Sequence, residues 1–155
     1  MVSPQNRCSL DIDRFFPYRL AVLADAVSRH VAPAYEETFG ISRQEWRVLA
    51  VLGDGQPVLA SALRKMTTMD KSSVSRAVRA LDLRGLVDRS HADSDRRELS
   101  VWLTPAGVEC YRKILPQAIT RAEAVLADLS PSEKGLLYDL LERVQARTST
   151  LAREP

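Results

Sequence analysis

The chain has few of the residues that build disulfide frameworks and metal sites. Its 155 residues include two cysteines, Cys8 and Cys110, and two histidines, His30 and His91. Two cysteines so far apart in the chain favour a reduced protein in the cytoplasm. The two histidines lie outside any zinc-ligand spacing, so we expect no metal.

Long apolar runs and enzyme motifs are also missing. No segment approaches the roughly 18 apolar residues of a membrane helix, and the N-terminus lacks the apolar centre of a signal peptide. No nucleophile elbow, phosphate-binding loop or dinucleotide fingerprint occurs, so we expect neither an enzyme nor a cofactor. The length and a hydrophobic content of 45% predict one domain, 1–155, that buries a core without disulfides or metal.

Residues 70–107 are the most informative part of the chain. Val74, Val78 and Leu81 are spaced i, i+4, i+7 and predict a helix with a single apolar stripe. Gly85 follows this stripe, at a position where a left-handed residue commonly ends a helix.

Two strands are predicted after this helix. Leu86-Val87 begins the first, and apolar residues alternate with others from Leu99 to Leu103 in the second. The turn between them, 91–97, is rich in Asp and Ser and has two arginines at its base. A basic helix followed by a charged hairpin is the order of a winged helix-turn-helix.

Basic charge is concentrated in the same segment. Residues 64–97 contain nine Lys and Arg against five Asp and Glu, whereas the whole chain has 22 against 20. Short hydroxyls and arginine on the exposed helix face can approach base edges, and the cations can replace counterions on phosphates. The alternative is a solvated helix and hairpin whose charges serve solubility. The local excess of basic charge favours DNA binding.

The rest of the chain predicts helices. An apolar stripe runs from Ile12 to Val31; Pro17 suits its first turn, whereas Pro33 should kink the helix or split off its last turn. A short helix, about 59–65, precedes the predicted recognition helix. Three other helices, the second near 104–129, begin at residues with N-capping side chains, two of them in capping boxes: Ser42, Thr104 and Ser130.

The long terminal helices, 10–40 and 104–151, exceed what a winged-helix core at 42–103 requires. Leu10, Phe15 and Phe16 at one end and a leucine ridge at the other add apolar surface. One explanation is a larger monomeric core. The explanation we favour is a twofold homodimer, which would place two recognition helices roughly 34–36 Å apart on a palindrome.

The chain resembles the MarR (multiple antibiotic resistance regulator) family of bacterial transcription factors from about Ile12 to Val144. The most specific motif is Asp95-Arg96-Arg97, followed by Leu103-Thr104 and Gly107. Residues 69–78 look like the recognition helix of that family. The resemblance implies a mainly α fold of six helices, with a two-stranded wing and dimerisation helices at both ends. Ala92 departs from the acidic residue that many members have there.

The resemblance implies a set of DNA contacts. Arg97 would reach the minor groove, held by Asp95, while Arg76 and the serines would face base edges and phosphates. The predicted DNA-binding residues are Lys71, Ser72, Ser73, Ser75, Arg76, Arg79, Asp95, Arg96 and Arg97.

Members of this family usually release DNA when a small, often phenolic or acidic molecule binds. Arg19 interrupts the apolar stripe of the first helix, and Trp46 could stack on a planar ligand. We therefore predict Arg19 and Trp46 as ligand contacts, and an aromatic acid or its CoA thioester as effector. The alternatives are an ion pair for Arg19 and a core position for Trp46.

Two other functions remain open at this point. A thiol-based redox regulator would use Cys8 or Cys110, although neither lies in an evident activating environment. A ligand-blind architectural protein would bind DNA with a steep salt dependence and little sequence preference. We expect a sequence-specific repressor instead.

Overall fold

The computed structural model describes residues 10–92 and 95–152, with side chains described for 10–90 and 99–152. Within these ranges the chain forms seven helical segments and a small antiparallel sheet. The elements are α1 (Phe16–Val31), α2 (Pro33–Glu36), α3 (Arg43–Leu52), β1 (Val58–Leu59), α4 (Ala60–Thr67), α5 (Lys71–Leu83), β2 (Val87–Ala92), β3 (Asp95–Leu103), α6 (Pro105–Val125) and α7 (Pro131–Leu151).

The predicted helix starts are confirmed at atomic level. The Ser42 hydroxyl accepts from the Glu45 amide at 3.3 Å, and the Glu45 carboxylate accepts from the Ser42 amide at 2.6 Å. Ser130 forms the second capping box, and Thr104 caps α6. Pro33 separates α2 from α1 as predicted, because proline lacks the amide donor that a continuing helix needs.

Two helix bounds differ from the prediction. The short helix α4 runs from Ala60 to Thr67 rather than about 59–65, because Leu59 is extended and belongs to a strand. Thr68 then takes a left-handed conformation, φ 55°, and turns the chain toward α5. α6 ends at Val125. Residues 126–129, which were predicted to continue this helix, form turns instead.

The sheet has three strands in the order β1-β3-β2, one more than the two-stranded wing predicted. Val58 pairs with Val101, and Val87 pairs with Leu103. The additional strand is two residues long, which is too short for an alternating pattern to reveal it. It joins the start of α4 to the base of the wing.

The core lies where α2, α3, α4, α5, β3 and α6 meet. Its largest fully buried side chains include Tyr35, Leu49, Leu63, Leu81 and Ile114. Burying each leucine or isoleucine stabilises the fold by roughly 1.5–3 kcal/mol. This core therefore fixes the recognition helix against the helices on both sides of it.

The terminal helices α1 and α7 contain no buried residue in the single chain. Phe16 is 56% exposed and Leu136 is 56% exposed, although both belong to the predicted apolar stripes. The apolar residues that flank Arg19 on this stripe are therefore exposed within one chain. The outer faces of both helices are unpartnered apolar surface. No helix in the described ranges is long and apolar enough to cross a membrane.

Candidate nucleic-acid interface and an adjoining groove

The helix α5 separates its side chains cleanly into a buried stripe and an exposed face. Val74, Ala77, Val78 and Leu81 are buried against the core. All six residues predicted here as DNA contacts lie on the other faces, exposed except for the half-buried Ser73. We define them as the reading face: Lys71, Ser72, Ser73, Ser75, Arg76 and Arg79.

A hydrogen-bond network organises the start of the reading face. The carboxylate of Asp70 accepts from the Ser73 amide at 2.8 Å and from the hydroxyls of Ser72 and Ser73 at 2.6 and 2.7 Å. The Ser72 hydroxyl, followed by the Ser73 hydroxyl, holds the pKa of Asp70 well below its usual range. Arg76 donates to the Ser73 hydroxyl oxygen at 3.2 Å. Asp70 therefore caps the helix, and the two serines donate their hydroxyl protons to it while the Ser73 oxygen accepts from Arg76.

The end of α5 is hydrogen-bonded to the loop before α3 and to the residue that begins α6. Gly85 has φ 67°, the left-handed geometry predicted from its position. The Thr104 hydroxyl donates to the Gly85 carbonyl at 2.7 Å. Arg84 donates to the carbonyls of Phe39 and Gly40 at 2.6 and 2.9 Å. The recognition helix thus ends at a fixed junction, residues 84–86.

The wing is formed by β2 and β3 and lies beside α5. Arg89 on β2 forms an ion pair with Asp82 on α5 at 2.9 Å, which holds the base of the wing to the helix. The backbone of Asp95, Arg96 and Arg97 belongs to β3. Their side chains lie outside the described residues, so their roles in DNA binding stay predictions.

Two further cations adjoin the reading face. Arg64 of α4 and Arg89 of β2 line one pocket together with Lys71 and Ser75. Neither arginine was among the predicted contacts. Arg64 falls inside the segment of concentrated basic charge, and that local excess could have placed it among the predicted DNA contacts.

A groove of about 210 Å³ lies between α1, α2 and α3 and contains Trp46. We call it the effector groove. The Trp46 ring stacks near-parallel with Tyr35 and Tyr111, at centroid distances of 5.5 and 5.9 Å. Trp46 therefore packs against the core and also lines this groove, and its contact with a ligand stays a prediction. Its lining residues are Val27, Ser28, Val31, Tyr35, Arg43, Trp46 and Arg47.

The effector groove also carries two arginines that the sequence reasoning missed. Arg43 donates to Asp25 at 3.1 Å and is thereby neutralised. Arg47 has no carboxylate partner within the described part of the chain. Burial, followed by the charge of Glu36, raises the pKa of Tyr35, so this phenol stays protonated well above neutral pH and can donate a hydrogen bond. The spacing of Arg43 and Arg47, four residues apart around Trp46, is the signal that could have found them.

Arg19 lies in a different place from Trp46. It is exposed on α1, in a shallow groove with Tyr18 and Leu23, and donates to the Asp13 carbonyl at 3.3 Å. Within one chain the structure does not bring the two predicted ligand contacts together.

The described cysteine lacks the environment of a reactive thiol. Cys110 is half-buried on α6, and burial raises the pKa of its thiol despite nearby Arg84 and Lys113. A raised pKa reduces the thiolate fraction that oxidation requires. Cys8 lies outside the described residues.

Comparisons with known proteins agree with this architecture. The MarR family model matches residues 39–98. A regulatory protein assigned to the hcr operon of Thauera aromatica is 29% identical over 124 residues, covering 80% of this chain and 75% of the relative. A protein from Pseudomonas aeruginosa, described as a probable transcriptional regulator, is 30% identical, with a TM-score of 0.69 over 86% of this chain and 98% of its own.

A third protein shares the fold at lower identity. It is BpsR of Bordetella bronchiseptica, solved to explain how 6-hydroxynicotinic acid regulates its DNA binding. The two chains are 21% identical with a TM-score of 0.77, over 88% of this chain and 97% of that one. With the winged helix, the reading face and these matches together, the chain belongs to the MarR family and is a DNA-binding transcriptional regulator.

Proposed function

We propose that this regulator is a homodimeric repressor of a palindromic operator, released from DNA by a small aromatic acid or its CoA thioester. One observation carries the proposal. The same α3 that packs against the recognition helix also lines the effector groove, with an aromatic side chain and a cation that has no ion pair among the described residues. A ligand in that groove is therefore in a position to act on DNA binding.

The DNA-binding part of the proposal rests on the reading face. Arg76 is exposed and preset by Ser73, so it can bind a guanine edge through two donors. Arg97 lies on the wing, where we propose a minor-groove contact that reads groove width and potential. The two arginines should therefore contribute in different ways.

Titration of Arg76→Ala and Arg97→Ala against a selected duplex and a scrambled duplex tests this division. Arg76→Ala should weaken binding to the selected duplex by about 1–3 kcal/mol and relax base preference. Arg97→Ala should weaken both duplexes more evenly. Unchanged affinity in both variants would contradict the assigned roles.

The homodimer rests on the apolar faces of α1 and α7. Leu140 and Leu141 are 43% and 44% exposed, and α7 has no buried residue in the single chain. We propose that a second copy covers these faces and sets the spacing of two reading faces to one DNA turn. Leu140→Glu with Leu141→Glu should abolish the dimer or unfold the chain, since both would bury unpaired charge. A monomer of the wild type at micromolar concentration in sedimentation would contradict the two-site operator.

The effector is proposed to be a planar aromatic anion. Trp46 and Tyr35 offer ring surfaces, Tyr35 offers a phenolic donor, and Arg47 offers an unpaired positive charge. The fold neighbour BpsR responds to 6-hydroxynicotinic acid, which is a suitable first probe beside benzoate and benzoyl-CoA. Release requires the ligand to favour the non-binding state by about 1–3 kcal/mol.

Two arginines compete for the role of anion partner in this proposal. Our prediction from sequence is Arg19, and the groove itself supplies Arg47. Arg19→Ala and Arg47→Ala should be compared for operator affinity and for release by each probe. Replacing the true anion partner by alanine should leave the operator affinity unchanged and abolish release by the probe. If no aromatic acid or thioester shifts the melting temperature of the wild type, the ligand part of the proposal fails.

A further inference from the structure

We propose that Arg84 is a positioning residue that transmits the orientation of the α2–α3 loop to the recognition helix. It is not among the predicted DNA contacts. It lies at the C-terminal end of α5 and reaches 44 and 45 residues back along the chain to its partners. The role proposed for Arg84 rests on the proposed function in two respects, because both a preferred operator and the link to the effector groove belong to that function.

The geometry requires an arginine. One guanidinium nitrogen donates to the Gly40 carbonyl at 2.9 Å and the other to the Phe39 carbonyl at 2.6 Å. Two consecutive carbonyls are held by the two prongs of one planar group, which fixes both distance and angle. A lysine ammonium is a single point donor and cannot reproduce this fork.

The same junction is held from its other side by the start of α6. The Thr104 hydroxyl donates to the Gly85 carbonyl at 2.7 Å, and the Thr104 amide donates to the Leu86 carbonyl at 3.1 Å. Residues 84–86 are thus bound by the segment that precedes α3 and by the first turn of α6. The α2–α3 loop and the start of α6 therefore contact the end of the recognition helix at the same place.

A short, hydrogen-bonded path leads from the effector groove to Arg84. Tyr35 lines the groove and its carbonyl accepts from the Ile41 amide at 3.0 Å. The Gly40 amide donates to the Glu36 carbonyl at 3.0 Å. The carbonyls that Arg84 holds are consequently fixed to α2, and a ligand that displaces Tyr35 displaces them as well.

A direct phosphate contact is the competing role for Arg84. The two prongs that would bind a phosphate are engaged by the loop carbonyls. Along α5, Arg84 lies about 20 Å from Lys71 and about 7–8 Å from Arg79, the two ends of the reading face, so distance alone does not decide between the two roles. A phosphate contact and a positioning role differ in one measurable quantity, the salt dependence of binding, because each phosphate contact adds about one to the slope.

The test uses the full chain and a duplex selected by the wild type from a random library. Arg84→Met removes both donors, Arg84→Lys keeps the charge without the fork, and Arg112→Met is the charge-matched control. Arg112 is exposed on α6 and has no ion pair with the described residues. The affinity of each variant is measured at about three salt concentrations between 50 and 300 mM, which gives the salt slope. The thermal stability of each variant is measured as well.

We expect Arg84→Met to bind the selected duplex roughly two- to thirtyfold more weakly than Arg112→Met, with an unchanged salt slope. Arg84→Lys should restore little of the loss, because charge alone does not hold the loop. If 6-hydroxynicotinic acid releases the wild type, Arg84→Met should reduce the ratio of affinities without and with that acid.

Four results would overturn the inference. A salt slope lowered by about one makes Arg84 a phosphate contact. Affinity equal to that of Arg112→Met removes any role in DNA binding, and full rescue by Arg84→Lys removes the role of the fork. If the wild type selects no preferred duplex, sequence-specific regulation fails and the inference fails with it. A selective wild type with an unaffected Arg84→Met refutes the inference alone.

Discussion

Adding a single methyl group at Gly107 should destabilise the fold more than at any other glycine that the structure describes. A Cβ at Gly107 would overlap the carbonyl oxygen of Leu86 and lie 2.9 Å from its carbonyl carbon. The obstacle is backbone at the end of the recognition helix, so no side-chain rotation relieves it. Gly107→Ala should therefore lower stability, with a steric cost of about 1–3 kcal/mol.

Gly135→Ala provides a matched control on α7. A Cβ there has no neighbour within 4 Å, and Gly135 shares its helix face with the polar Asp139 and Glu142. This substitution should only gain helix propensity, about 0.5–1 kcal/mol. The difference between the two variants isolates the steric cost at Gly107, since both replace a helical glycine by alanine.

Thermal unfolding followed by circular dichroism is the assay. For a chain of this size each kcal/mol shifts the melting temperature by about 2–4 °C, so the two variants should differ by roughly 2–12 °C. Gly107→Ala should also bind operator DNA more weakly, because residue 86 lies at the junction. Equal melting temperatures for the two variants would refute the close approach of α6 to this carbonyl.

Three further predictions concern capping, pH and thiol chemistry. Ser42→Ala should destabilise the chain by about 1 kcal/mol in chemical denaturation, because the capping box of α3 loses its acceptor; no loss would contradict the observed pairing with Glu45. The depressed pKa of Asp70 means that its contribution to stability is present above about pH 4 and is lost as pH falls through the lower folded pKa. A carboxyl NMR titration of Asp70 in the usual range, or a wild type and Asp70→Asn with the same acid stability profile, would contradict this. Cys110 should react with iodoacetamide more slowly in the native protein than in guanidinium chloride, because its thiol is half-buried with a raised pKa; equal rates would restore the redox alternative.

Local sequence signals predicted most of the architecture. Ser42, Thr104 and Ser130 begin their helices as expected, and Gly85 ends the recognition helix in left-handed geometry. These signals are strong because each depends on a hydrogen bond or backbone conformation within a few residues. The division of α5 into buried and reading faces follows from the same local periodicity.

Features that depend on distant partners could not be read from the sequence. The Arg84 fork joins residues 44 and 45 positions apart, and nothing near Arg84 indicates its acceptors. The groove around Trp46 depends on how α1 and α3 approach, so the spacing of Arg43 and Arg47 around Trp46 indicates a shared helix face but not the groove itself. The place of Arg19 in an assembly could not be predicted for a related reason, because an apolar stripe indicates a face to be covered without saying which chain covers it.

The strand β1 has a consequence for the entropy of DNA binding. Its pairing of Val58 with Val101 fastens α4 to β3, while the Arg89–Asp82 ion pair fastens β2 to α5. The base of the wing is therefore prealigned with the recognition helix before DNA arrives. A segment that is already ordered does not lose conformational entropy again on binding. For each such backbone residue the binding free energy is more favourable by roughly 1–2 kcal/mol. Association of this part of the chain then resembles the docking of one rigid body.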